Sequence, residues 1–126
     1  MIIHSRHIDE FKRRSDEKLT TGLLAHVQRF YSGQCQALGE EETRGSVDYG
    51  VRQARSYGFT THSQIRRFID LLFCFGATFD QPDGYPWARQ ILNRKDLNPG
   101  ERSELLMLTA HLALANSEQE REHGGS

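Results

Sequence analysis

His4 and His7 stand three residues apart, a spacing that puts two imidazoles on one helical face and can begin a metal site. No third ligand follows nearby, and a frayed, solvated chain start accounts for the pair. Asp80, Asp83 and Gly84 have the composition of a calcium loop. The alternating acidic register and the distal glutamate of such a loop are absent. Arg66 and Asp70 are four residues apart and can pair on one helix face, with Arg52 and Arg55 as further cations within reach of the same carboxylate. A structural ion pair is favoured there over a catalytic carboxylate. His26 and His111 sit beside apolar stripes as packed or half-exposed histidines, and His62 falls in the first turn of a helix as a surface residue. No G-x-S-x-G turn, local Cys/His signature or glycine-rich phosphate loop is present. The sequence therefore offers no catalytic residue, no cofactor site and no metal site, and a non-enzymatic protein is expected.

The aromatic residues carry the other chemistry. Phe73, Phe75, Phe79, Tyr85 and Trp87 fall within fifteen positions of one another. Such density suits a core, and the same residue types anchor protein interfaces. Phe73, Phe79, Tyr85 and Trp87, with Arg66 and Arg89 at the edge, form the expected partner-binding set.

These residues hang on one central element. Gly58 and Phe59 stop a preceding helix, and Thr61 with Gln64 forms a capping box that starts the next. Ile65, Phe68, Ile69, Leu72 and Phe75 recur at helical spacing, while Leu71, Phe73 and Cys74 fill the other sides. A helix apolar nearly all round is buried, so a core helix is expected at about 61–75, ended by Gly76. Upstream, Ile8, Phe11, Leu19, Leu23, Val27 and Phe30 mark a long first helix over 5–31, with Ser15 a weak point in its stripe. A connection follows at 32–35, then one further turn to residue 38. Glu40, Glu41 and Glu42 suit the first turn of a helix whose buried stripe is Val47, Gly50, Val51, Ala54 and Tyr57. Gly50 in that stripe costs about 1 kcal/mol against alanine and points to a close helix crossing. Downstream, Pro82, Asp83 and Gly84 are turn chemistry and Pro86 opens a short helix to residue 93. Asn98, Pro99 and Glu101 start a last helix with the stripe Leu105, Leu108, Thr109 and Leu112, and Leu106 and Ala113 beside it. The fold class is all-α: a compact single-domain bundle of about five helices over 1–116, with 117–126 a disordered tail.

The formal net charge is −1, which gives no nucleic-acid signature. Two cysteines make no disulfide framework, and Cys74 is expected to pack as a small hydrophobe while both thiols stay reduced. There is no signal-peptide h-region and no apolar run of membrane-spanning length, so a cytoplasmic protein is expected.

Residues 50–80, GVRQARSYGFTTHSQIRRFIDLLFCFGATFD, and 86–92, PWARQIL, resemble a family of small bacterial proteins. Its members share a Tyr-Gly-Phe-Thr turn, an apolar helix ending near Phe-Gly, then Phe-Asp and Pro-Trp-Ala. Residues 29–47 resemble the upstream part of the same family. Such proteins are encoded among type VI secretion genes, beside toxic effectors. The resemblance implies an accessory role, a co-chaperone or adaptor that binds a secreted effector or its adaptor chaperone. An immunity protein that neutralises a cognate toxin is the alternative. The shared motifs are structural, so no functional residue is carried over from them.

Overall fold

In the computed structural model the backbone is described for residues 3–124 and the side chains for 14–116. Six helices follow one another: α1 (Ile3–Phe30), α2 (Ser32–Leu38), α3 (Glu40–Ser56), α4 (His62–Phe75), α5 (Pro86–Leu92) and α6 (Pro99–Gly124). There is no strand among the described residues, so the fold is all-α as expected. The tail expected to be disordered, 117–126, and the pair His4 and His7 fall outside the described side chains.

Helix α4 is the hub. Its start carries the expected capping box: the Gln64 amide donates to Thr61 Oγ1, and Gln64 Oε1 accepts from the Thr61 amide. Ile65, Phe68, Ile69, Leu71, Leu72 and Phe73 are buried. Helix α3 packs onto it more closely than any other element. The crossing is at Gly50, where an added Cβ would fall on Cδ1 of Ile69 and touch Leu72. Gly58 takes the left-handed φ of +91° after α3, and Phe59 folds back into the core against Phe68. Truncating Phe59, Phe68 or Phe79 to alanine would cost about 3–5 kcal/mol each, since all three are fully buried.

Helix α6 begins with a second reciprocal cap: the Glu101 amide donates to Asn98 Oδ1 and the Asn98 amide to Glu101 Oε1. Arg102 ties this start to α5 by donating to the Leu92 carbonyl, its guanidinium lying over the Phe59 ring.

Four local expectations are corrected. The 32–35 connection is helical, and the break is confined to Tyr31, whose ψ of 42° leaves the helical path. The cause is the Tyr31 side chain, which turns away from the α1 axis to stack on Phe73. Phe30, expected in the core stripe, is 62% exposed, because the kink at its neighbour leaves it on the rim. Cys74 points outward rather than packing inside. Helix α6 buries Ser103, Leu106 and Ala110 instead of the expected leucine stripe, and leaves Leu108 and Leu112 about 60% and 58% exposed.

Candidate functional site

Helices α1 and α6 both pack on α4 and, among the described residues, no Cα of one lies within 8 Å of a Cα of the other. The gap between them is a trough with α4 as its floor. Its volume is about 430 Å3, and its walls are largely apolar: Phe30 from α1, Cys74 and Phe75 from α4, and Met107, Ala110 and Leu114 from α6. Phe30 and Leu114 stand exposed at its mouth. Large apolar side chains held open to water contribute nothing to the fold, since their burial is what stabilises it.

A polar seam runs along the floor. Asp70 Oδ1 accepts from Tyr31 at 3.1 Å and lies 2.6 Å from His26 Nε2. The Tyr31 hydroxyl, donating to Asp70, offers a lone pair to the Cys74 thiol at 3.5 Å. Burial first, then the contact with Cys74 and the charge of Asp70, push the Tyr31 phenol up, so it stays a neutral donor. The seam therefore gives Cys74 no base: its neighbour is a phenol already committed to a carboxylate. Tyr31 ring stacking on Phe73, with centroids 5.4 Å apart, completes a rigid strut between α1 and α4. Asp70 thus has partners in α1 (His26) and in the break that follows it (Tyr31), and the expected pairing with Arg66, Arg52 or Arg55 does not form. The neighbouring elements reach Asp70 first, while Arg55 pairs instead with Asp16 at 2.6 Å.

The six residues expected to bind a partner do not form one patch. Phe79 is 1% exposed and Phe73 7%, so both belong to the core; Phe79 lies against Phe68 with centroids 5.1 Å apart. Phe73 is covered by the Tyr31 ring, and Phe79 is held where the loop folds back and Tyr85 donates its amide to the Phe79 carbonyl. Tyr85 and Trp87 do emerge, and they clasp Phe75 edge-on at 5.1 and 5.4 Å. Since Phe75 also lines the trough, this aromatic knot is continuous with it. Arg66 is exposed at the opposite end of α4, beside Lys18, His62 and Ser63. Arg89 is exposed on α5, and its charge acts on Tyr57 rather than on the trough.

Asp80 holds a second buried network. It accepts from Tyr57 at 2.7 Å, Gln81 at 3.3 Å and Gln53 at 3.4 Å. Burial, then the bond to Asp80 and its charge, push the Tyr57 phenol up. All these partners are donors, so the carboxylate anchors the loop to α3 rather than holding a cation. Among the described residues no group of three or more histidine, cysteine or acidic side chains is placed to hold a metal. Nor is any helix among them long and apolar enough to cross a membrane.

Sequence reasoning missed Phe30, Met107 and Leu114. A signal for the last two existed: over 105–116 the sequence LLMLTAHLALAN holds no lysine, arginine, aspartate or glutamate. One contact face does not need so much apolar surface.

The fold and trough define an all-α domain with an open apolar groove. Comparison of the chain with protein-family models, with curated proteins and with solved structures gives no match. The resemblance rests on residues 29–47, 50–80 and 86–92 alone. The structure gives most of their shared residues a packing role: Tyr57 and Asp80 bond each other, and Phe59 and Phe79 fill the core.

Proposed function

We propose that this chain is a non-enzymatic adaptor that receives an apolar helical segment of a protein partner in the trough between α1, α4 and α6. The observation that supports this reading is the trough itself: apolar walls, exposed Phe30 and Leu114 at the mouth, and a floor braced by the Asp70 strut. A helix lying in a groove buries such side chains as anchors. The resemblance to type VI secretion accessory proteins supplies the partner class, a secreted effector or its adaptor chaperone, met in the cytoplasm before export.

The test is co-purification of the chain with the products of its neighbouring genes, repeated with Phe30→Ser and Leu114→Ser. A partner retained by the wild type and lost by both variants supports the proposal. Retention by the double variant, or no partner among those products, overturns it.

A further inference from the structure

The trough does not end at His26. That residue also lines a second cleft, of about 380 Å3, formed with Lys18, Gly22, His62, Ser63 and Arg66. The two hollows share a seam made by two rows of side chains. Lys18, Gly22, His26 and Phe30 recur every fourth residue on α1, and His62, Arg66, Asp70 and Cys74 do the same on α4. Rows at that interval lie along one helix face. His26 meets Asp70 and Tyr31 meets Cys74, so the rows run side by side in the same direction. Twelve residues of helix span about 18 Å, the length of a three-turn helix.

The two ends of this seam differ in chemistry. One end is apolar and holds Phe30 and Leu114. The other gathers Lys18, Arg66 and His62, with no carboxylate in the lining. Neither Lys18 nor Arg66 is in an ion pair among the described residues, and Asp70, the acid nearest Arg66 in the row, is taken by His26 and Tyr31. In a chain whose formal net charge is −1, uncompensated cations are thus concentrated at one end of an apolar groove. Space is kept open between them at Gly22, where an added Cβ would meet nothing within 4 Å.

We infer that the partner segment is an amphipathic helix with apolar anchors at one end and acidic side chains at the other. The acids face Arg66 and Lys18, and the anchors enter between Phe30 and Leu114. Arg66 can hold a carboxylate through two parallel hydrogen bonds, which fixes the direction in which the helix lies. The inference rests on the groove reading above and adds the charge and polarity of what fills it.

A displayed library of random 16-residue peptides, selected on the full chain, tests it. The enriched sequences are expected to combine apolar residues at helical spacing with two or more acids towards one end. For a representative peptide, changing those acids to glutamine weakens binding about tenfold, the usual scale for losing a charge-assisted contact. Arg66→Gln weakens it by a similar factor, and the two losses do not add. Gly22→Glu, which replaces glycine by a better helix former and fills the open cleft with negative charge, also weakens binding without lowering the melting temperature. Enriched peptides without acids, or acidic peptides indifferent to Arg66→Gln, overturn the inference. If those peptides still depend on Phe30 and Leu114, the groove reading stands alone. Binding that ignores all four positions, or no enrichment, overturns both.

Discussion

Removing the Asp70 carboxylate distinguishes the contacts in the fold from those that helical spacing favours. Asp70→Ala deletes the acceptor shared by His26 and Tyr31, whose bonds are 2.6 and 3.1 Å long. The His26 and Asp70 side chains retain 20% and 23% of their exposure, so water softens the loss. A hydrogen bond to a charged group contributes about 1.5–3 kcal/mol when well shielded. With two bonds discounted for solvent, Asp70→Ala should lower stability by about 2–3 kcal/mol. Tyr31→Phe, which keeps the stacking on Phe73, should lose about 1 kcal/mol. Arg66→Ala should change stability by less than about 0.5 kcal/mol, as an exposed cation in no ion pair among the described residues. Urea titration followed by circular dichroism reads all three, with midpoints compared at unchanged slope. An Asp70→Ala midpoint equal to the wild type refutes the strut. So does an Arg66→Ala loss as large as that of Asp70→Ala, which would restore the pairing along α4.

Three other outcomes follow from the packing. Gly22→Ala should stabilise by up to about 1 kcal/mol, whereas the same exchange at Gly50 should destabilise by about 1 kcal/mol, because only at Gly50 does the new methyl strike Ile69; urea midpoints moving in the same direction would contradict the close crossing. The Tyr31 and Tyr57 phenols are both pushed up in the fold, so the stability they give is whole below about pH 10 and is lost as pH rises through the folded-state values. Thermal melts from pH 9 to about 11 should therefore fall less steeply in the Tyr31→Phe/Tyr57→Phe variant than in the wild type. Cys74 is exposed and Cys35 half-buried, both free, so iodoacetamide should label Cys74 first under native conditions, with mass spectrometry of the peptides as the readout.

Local chemistry was legible wherever one segment decided it. The Thr61–Gln64 and Asn98–Glu101 caps, Pro86 at a helix start and the Gly50 crossing follow from residue types a few positions apart. What was not legible depended on facing elements. Residues 105–116 are apolar on every side, so their periodicity carries no phase, and only packing on α4 and α5 selects Leu106 and Ala110 over Leu108 and Leu112. Asp70 has a cation four residues away, yet the side chains that take it, Tyr31 and His26, are 39 and 44 residues distant in sequence. The aromatic set divides for the same reason: spacing groups Phe73 to Trp87, but the fold decides that Phe79 is buried and Tyr85 exposed. The trough could not be read at all, because it is the space left where α1 and α6 fail to meet.

That gap has a kinetic meaning. The closest contact in the fold, α3 on α4, joins neighbours in sequence and closes a short loop, which is the kind of contact that forms early. The two walls of the trough come from opposite ends of the chain. Their contacts with the hairpin join residues distant in sequence, the kind that form late. The trough therefore exists only while both α1 and α6 are seated on α4. A segment bound as proposed would touch both walls, and should then slow amide exchange in α1 and α6 together while leaving the hairpin's exchange nearly unchanged.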